Sequence, residues 1–226
     1  MVRITSTSQS FGLYLGLFLA YFIVGHLLSN ISFQSQIVPI WLPAGIALVG
    51  CYLWWWRFIP AIFIASFSFN YTVQPATDAI TLLSNQGIGL SLIAFGASLQ
   101  ALVGSALLRY WLGNPLKQAS NLKILYFVVI VGILVNLISS NIGIFALSTY
   151  HPDYSEEHYW NNLLYWWLGD SLGVLLATPF ILSLIAVDIY DEKQQRSRLL
   201  ILSSASVLFL SVLVLTGFFI NFSNEN

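Results

Sequence analysis

The sequence predicts an all-α fold, a polytopic bundle of transmembrane helices, on the basis of three observations. Hydrophobic residues make up 58% of the 226-residue chain and charged residues only 8%, whereas a soluble domain carries about 25% charged residues. Seven apolar stretches approach or exceed the roughly 20 residues that a helix needs to cross a bilayer. Lysine and arginine are confined to every second junction between these stretches. We therefore expect a single integral-membrane domain with seven spans over residues 1–226.

The first three predicted spans cover residues 11–28, 40–56 and 58–73. No small-residue cleavage site follows the first span, so we interpret it as a retained helix and not as a signal peptide. The second and third spans are short and are separated only by Arg57, which predicts a tight helical hairpin. Pro43 stands near the start of the second span, where the missing N–H of a proline would have had no intrahelical partner.

The last four predicted spans cover residues 87–112, 122–149, 160–187 and 199–221. Each is long enough to cross a hydrocarbon core of roughly 30 Å at about 1.5 Å per residue. The loop at residues 151–158, which follows the fifth span, is acidic and contains no lysine or arginine. That composition is typical of a loop on the outer side of the membrane.

The basic residues predict the orientation of these spans. Cytoplasmic loops of membrane proteins carry an excess of lysine and arginine. A cytoplasmic N-terminus places every basic residue of this chain on the cytoplasmic side, and seven spans then place Asn226 outside. The basic residues are Arg3, Arg57, Arg109, Lys117, Lys123, Lys193, Arg196 and Arg198.

One carboxylate, Asp170, lies inside the apolar sixth span, about ten residues and therefore roughly 15 Å from its outer end. A charge near the bilayer centre costs about 2.5–3.5 kcal/mol on insertion scales, so we expect Asp170 to face protein or trapped water. Gly169 and Gly173 follow the small-xxx-small pattern that lets two helix backbones approach closely. Asp170 is therefore predicted to lie at a helix–helix seam.

Three roles for Asp170 remain open on these grounds. In the first, it fixes packing by accepting hydrogen bonds from a neighbouring helix. In the second, Asp170, Trp166 and Trp167 line a pocket that is open to the outer leaflet and accepts a cationic or hydroxyl-bearing ligand. In the third, it relays protons in a transporter, but a relay usually needs a second titratable group within the membrane, and the one found, His26, lies at the outer end of the first span. The candidate hydrogen-bond partners are Asn70, Gln100, Asn136 and Asn141.

A proline interrupts the helical pattern after Asp170. Pro179 removes one intrahelical hydrogen bond and is expected to kink the sixth span. We expect the Thr178 hydroxyl to bond to part of the freed backbone. A fixed bend is favoured over a moving hinge.

The sequence offers little for catalysis or metal binding. His151 and His158 could hold a metal together with a loop carboxylate, but a solvated loop is the more common setting for two surface histidines. Cys51 is the single cysteine, and we find no nucleophile–base pairing, phosphate loop or metal-ligand spacing in the sequence. We therefore predict no catalytic residue, no metal and no cofactor.

Three stretches of the sequence resemble the first type of the MASE family, which comprises bacterial integral-membrane sensor domains. They are WLPAGIA (residues 41–47), RFIP (residues 57–60) with Asn70, and WWLGDSLGVLLATPF (residues 166–180), of which the last is the most specific. They lie on the second, third and sixth predicted spans. The matching positions are Trp41, Pro43, Gly45, Pro60, Asn70, Trp167, Gly169, Asp170, Gly173 and Pro179.

The resemblance implies a signal-input module in the inner membrane of a bacterium. Members usually have one span more than the seven predicted here. They are fused to a diguanylate cyclase, phosphodiesterase or histidine kinase, and so act in cyclic di-GMP or two-component signalling. The implied partners are membrane lipid, a small-molecule cue, the cytoplasmic output domain and a second copy in a homodimer, with no nucleic acid. We expect an eighth span and an output domain to follow residue 226 in the full-length protein.

Two functions outside signal input remain as alternatives. A small transporter, or a substrate-binding membrane subunit, would also place a carboxylate such as Asp170 beside a cavity. A membrane scaffold that only anchors partners would need neither a ligand nor a substrate flux. Flux that depends on Asp170 would favour the transporter.

Overall fold

The computed structural model describes residues 7–29, 40–73, 85–113, 120–151, 154 and 156–185. Within these ranges the chain is helical and contains no strand, which confirms the all-α fold class. The seventh predicted span at residues 199–221 and the chain end at Asn226 lie outside the described residues.

Seven α-helices make up most of the described chain. Helices α1 to α7 are, in order, Thr7–Ser29, Leu42–Trp54, Ile59–Val73, Asn85–Leu112, Asn121–Tyr126, Leu137–Tyr150 and Tyr159–Ile185. A 3-10 turn, Trp55–Phe58, joins α2 to α3, and a π-helical segment, Phe127–Leu134, lies between α5 and α6. A second 3-10 turn, Glu156–His158, precedes α7.

Five helical stretches in the described residues are long and apolar enough to cross a membrane, so the chain is a multi-pass membrane protein. The predicted number of seven spans is not confirmed. The second and third predicted spans count as one of the five stretches, although a 3-10 turn divides it, and the seventh predicted span lies outside the described residues. The five stretches are Phe11–Ser29, Leu42–Val73, Asn85–Leu112, Asn121–Tyr150 and Tyr159–Leu184.

The stretch Leu42–Val73 reverses direction at its 3-10 turn. Trp55 adopts a φ of 67°, a left-handed conformation that interrupts the helix and turns the chain back. Trp41, which precedes α2, consequently meets Phe69, near the end of α3, with ring centroids 4.8 Å apart. The chain therefore reverses direction around Arg57, as expected. The hairpin is not the tight one predicted, because α3 packs chiefly against α1 and α4 and not against α2.

Helix α2 lies at the centre of the bundle. It contacts α1, α4 and α7, and residues 47–53 are all buried, because a helix that is apolar on every side is covered on every side. Helix α4 runs parallel to it. Tyr52 donates a hydrogen bond to the Gly113 carbonyl oxygen at 2.6 Å, and a Cβ atom at Gly104 would contact Leu48 one turn earlier.

The described lysine and arginines lie at one end of the bundle, the basic end. Arg57 lies in the 3-10 turn between α2 and α3. The guanidinium carbon of Arg109, near the end of α4, lies 4.8 Å from the ring centroid of Trp55 in the same turn. Lys123 lies in α5, whose last residue, Tyr126, has its ring centroid 5.3 Å from that of Trp111 near the end of α4. This grouping is the one that the orientation prediction requires. A cytoplasmic location for the basic end stays a prediction.

Candidate functional site

Helices α2 and α7 are in backbone contact where the sequence predicts a seam. The backbone N–H of Trp41 donates a hydrogen bond to the Gly169 carbonyl oxygen at 2.9 Å. A Cβ atom on Gly45 would lie 2.6 Å from the Gly173 carbonyl oxygen, and a Cβ atom on Gly173 would overlap the Trp41 carbonyl. Glycine is therefore needed on both sides of this contact. The motifs around Trp41 and Asp170 form one interface.

Asp170 is buried beside this interface, with only 2% of its surface exposed. The side chains of Gln100 on α4, Ser139 on α6 and Trp166 on α7 hydrogen-bond to its carboxyl group. Its Oδ1 atom has no hydrogen-bond partner within the described residues. Asp170 thus links α4 and α6 to α7 and keeps one acceptor atom unused.

A cavity of about 340 Å³, which we call the Asp170 cavity, lies between α1, α2, α3, α4, α6 and α7. It begins near the helix ends at Val73 and His151 and reaches Ser139 and Asp170 in the bundle interior. His151 and Ser139 are separated by a helical rise of about 18 Å. The cavity therefore opens at the end opposite the basic end. Its lining includes Tyr21, Trp41, Ser66, Phe69, Asn70 and Trp166.

The inner part of the Asp170 cavity offers hydrogen-bond acceptors. Two buried acceptor atoms there, Asp170 Oδ1 and Gln100 Oε1, have no partner among the described residues. No lysine or arginine belongs to the described lining. Aromatic rings and small side chains form much of the remaining wall. The arrangement suits a small ligand with hydrogen-bond donors.

A family model named MASE1 matches residues 12–225, which is nearly the whole chain. The chain belongs to the MASE1 family. This confirms the resemblance carried by the motifs around Trp41 and Asp170. MASE1 is a family of membrane-associated sensor domains, and the domain is sensory and not itself catalytic. No curated protein and no solved structure matches the chain.

Several residues singled out in the MASE1 sequence line the cavity, namely Trp41, Asn70, Gln100, Trp166 and Asp170. The glycines at positions 45, 169 and 173 lie instead at the α2–α7 backbone contact. Two of the prolines lie in the first turns of helices. Pro43 is buried in the first turn of α2, and Pro60 is exposed in the first turn of α3.

Trp167 does not line the Asp170 cavity, although the sequence analysis expected it there together with Trp166. Successive residues of a helix point about 100° apart, and the Trp167 indole projects away from the wall that Trp166 lines. The Trp167 Nε1–H group donates a hydrogen bond to the Ile133 carbonyl oxygen at 2.8 Å, in the π-helical segment. Trp167 therefore links α7 to that segment.

Of the four candidate partners of Asp170, Gln100 is the one that the structure brings to the carboxyl group. Asn136 is buried but donates to the Gly132 carbonyl oxygen at 2.6 Å and to Ser171 Oγ at 3.4 Å. Asn141 is exposed and donates to the Leu137 carbonyl oxygen at 2.7 Å. Asn70, on the cavity wall, donates to the Ser66 carbonyl oxygen at 2.8 Å.

Two other expectations concern side chains away from the cavity floor. Pro179 is buried inside α7, but the Thr178 hydroxyl has no hydrogen-bond partner in the described structure, so the expected bond to the freed backbone is wrong. The position of Thr178 just before Pro179 does not by itself bring its hydroxyl to the carbonyl oxygen that loses its N–H donor at the proline. His26 Nε2 lies 3.0 Å from Thr72 Oγ1, on the side of the bundle where α1 ends.

Several residues of the site were missed in the sequence. Tyr21 and Ser66 line the cavity, and Ser139 bonds to Asp170. Gly143 makes room for Trp166, whose ring would lie 2.7 Å from a Cβ atom at that position. Ser139 and Ser140 lie four and three residues ahead of Gly143, and this serine pair is the signal that could have marked α6 as a neighbour of Asp170.

Proposed function

We propose that the chain is a membrane-embedded signal-input module. An extracytoplasmic or membrane-borne cue enters the Asp170 cavity, changes the packing of α2, α6 and α7, and so regulates a cytoplasmic output domain. Membership of a sensor family supports this function. The observation that carries it is the position of the cavity, whose wall includes Asp170 at the α2–α7 backbone contact.

A cue can drive output only if it binds one of two packings more tightly than the other. The junction between the π-helical segment and α6 is suited to adopt two packings. Side chains there replace regular backbone pairing: Asn136 Nδ2 donates to the carbonyl oxygens of Val131 and Gly132, and Trp167 Nε1 donates to that of Ile133. Asn136 also donates to Ser171, the neighbour of Asp170. Occupation of the cavity therefore acts next to this junction.

Helix α7 is the element that connects the cavity to the opposite end of the bundle. It continues from Asp170 to Ile185, a rise of about 22 Å if the helix is straight. Pro179 lies between these points without ending the helix, so α7 connects them as one element. A shift of Asp170 is thereby transmitted to the end of α7 and to the chain that follows it.

The remaining parts of the proposal concern topology and partners. The basic end faces the cytoplasm of a bacterial cell, across the inner membrane, so the cavity opens to the outside. Residues 1–226 form one sensory domain with seven spans, Asn226 outside and a further span beyond it. The output domain is a diguanylate cyclase, a phosphodiesterase or a histidine kinase. Pairing of output domains produces a homodimer.

Replacement of Asp170 by asparagine tests the proposal, because it keeps the shape of the side chain and removes the charge. We expect the full-length D170N protein to insert normally, to respond less to changes in growth conditions, and to shift basal output by about threefold or more. That shift corresponds to the loss of one buried hydrogen-bonded contact. Output is measured as cyclic di-GMP or as reporter transcription, according to the output domain.

Glu157→Gln is the matched control. Glu157 is exposed, precedes α7 at the open end and does not line the cavity, so the substitution removes the same charge without touching the site. Normal signalling by D170N under all conditions would contradict the proposal. Substrate accumulation in proteoliposomes that depends on Asp170 would instead favour a small transporter or a substrate-binding membrane subunit.

A further inference from the structure

We propose that the Asp170 cavity binds an organic ammonium group, with the N–H donors on Asp170 and Gln100 and the apolar part of the ligand against the aromatic wall. The inference names the ligand class of the input site and rests on the proposed function for its role in signalling. Binding itself is argued from the cavity alone.

The unused hydrogen-bonding atoms of the site are acceptors. Asp170 Oδ1 and Gln100 Oε1 are buried without a partner in the described structure, and Gln100 also hydrogen-bonds to the Asp170 carboxyl group. The two side chains are therefore adjacent. A buried acceptor without a donor is unfavourable, so a ligand that brings N–H donors is favoured over one that brings acceptors. A primary ammonium group carries three such donors.

The charges around the cavity favour a cation. Asp170 is the one carboxylate in the described lining, which contains no lysine or arginine. The described basic residues Arg57, Arg109 and Lys123 lie at the opposite end of the bundle. A negative charge surrounded by apolar helices and without a basic neighbour gains most from a positively charged ligand.

The wall of the cavity suits the organic part of such a ligand. The Trp41 and Phe69 rings lie 4.8 Å apart at an angle of 54°, and Tyr21 meets Trp41 edge-on at 6.1 Å. Trp166 bonds to Asp170 and also lines the cavity. Aromatic faces attract cations and pack against hydrocarbon. The volume of about 340 Å³ is at the lower limit of small-molecule sites and admits a ligand with one ring or a short chain.

An anionic group on the ligand cannot lie deep in the cavity, because no basic side chain is described there to pair with it. A zwitterion must therefore hold its anion at the opening. Two sources of the ammonium group satisfy this condition. One is a soluble amine, and the other is the ethanolamine headgroup of a lipid, whose phosphate remains at the membrane surface.

The test compares two isosteric probes, 2-phenylethylammonium and 2-phenylethanol, on the full chain in phosphatidylglycerol nanodiscs. Binding is measured from quenching of tryptophan fluorescence and from the shift in thermal unfolding. We expect the ammonium probe to bind at least about tenfold more tightly than the alcohol, the range of one charge-assisted hydrogen bond. The trimethylated probe should bind more weakly than the primary ammonium, because it retains the charge but has no N–H donor.

Variants locate the binding site. Asp170→Asn and Gln100→Leu should each reduce affinity for the ammonium probe by about tenfold and leave affinity for the alcohol nearly unchanged. Glu157→Gln should bind both probes as the wild type does. If Asp170→Asn fails to fold, the comparison of probes on the wild type and on Gln100→Leu still decides the question.

Equal affinity for the ammonium probe and the alcohol would overturn the inference, as would equal loss of affinity in Glu157→Gln. The inference would also be overturned, in favour of an inorganic cation, if sodium chloride raised the unfolding temperature as much as the ammonium probe does and displaced that probe from the protein. Loss of probe binding in nanodiscs that contain phosphatidylethanolamine would identify the lipid source. If probe binding depends on Asp170 but the D170N protein signals normally, the ammonium site stands and the proposed input function is rejected.

Discussion

At the scale of single residues, Asp170 is accommodated within an apolar bundle because polar side chains surround its carboxyl group. Asp170 lies next to the close backbone contact between α2 and α7. Gln100, Ser139 and Trp166 bond to its carboxyl group, and these bonds offset part of the cost of removing a carboxyl group from water. One oxygen atom remains without a partner in the described structure. Most buried polar atoms in native structures have a hydrogen-bond partner, so the unpaired oxygen is consistent with a site that a ligand completes.

Gly173→Ala tests the close backbone contact. The new Cβ atom would overlap the Trp41 carbonyl, so α2 and α7 must separate, and we expect destabilisation of about 1–3 kcal/mol or more. The midpoint of thermal unfolding in a mild detergent should fall, and the response to the cue should weaken. Gly16→Ala is the control, because nothing lies within 4 Å of a Cβ atom there. Equal stability of the two variants would contradict the account.

The sequence predicts some residues of the site and not others for a physical reason. Asp170 and Gly173 stand out because a charge and a small residue are costly or unusual in an apolar helix. Tyr21 and Ser139 do not stand out, because tyrosine and serine are common in membrane helices whether or not they face a cavity. Trp166 and Trp167 look equivalent in the sequence, and only the packing of α7 separates them.

At the scale of helices, the α2–α7 contact and the π-helical segment Phe127–Leu134 form one connected unit. The backbone N–H of Val135 bonds to the Ile130 carbonyl oxygen, five residues earlier, whereas that of Ile138 bonds to the Val135 carbonyl oxygen, three residues earlier. The hydrogen-bond pattern therefore changes within one turn. π-Helical insertions of this kind are frequent at functional sites.

Trp167→Phe tests the link between this segment and α7. The substitution keeps an aromatic ring and removes the N–H group that bonds to the Ile133 carbonyl oxygen, so we expect a loss of about 1 kcal/mol. A chain of this size should then unfold about 2–4 °C lower. Trp160→Phe, at a side chain that is 76% exposed, should have little effect. Equal effects of both variants would show that the hydrogen bond does not stabilise the junction.

Helical elements were predicted with unequal success. The reversal of direction around Arg57 follows from two short apolar runs with a single charge between them, and the structure agrees. The π-helical segment was not predicted, because FVVIVGIL contains no proline or polar residue that marks a break. The break is stabilised instead by Asn136 and by Trp167 on another helix. Contacts between distant residues leave no local pattern.

At the scale of the whole molecule, the two ends of the bundle differ in chemistry. Arg57, Arg109 and Lys123 lie at the basic end, and the Asp170 cavity opens at the other. Composition alone predicts a membrane protein and an all-helical fold. A pocket beside Asp170 was one of three roles predicted from the sequence. The contributions of α1, α4 and α6 to its wall could not be predicted, since these helices are distant from Asp170 in sequence. A signal-input module requires both an accessible site on one side and a connection to the other.

The most direct test of this account is the chemical modification of Ala97→Cys in the full-length protein. Ala97 lines the cavity. The native Cys51 is fully buried, so the wild-type protein serves as the first control. Phe95→Cys, on the exposed face of α4, is the second control. A membrane-impermeant cationic thiol reagent is added outside intact cells, and labelling and output are measured together. We expect the cationic reagent to label Ala97→Cys faster than an anionic reagent does. We also expect the output of this variant to change on labelling. Labelling without a change in output, or labelling only from the cytoplasmic side, would contradict the account.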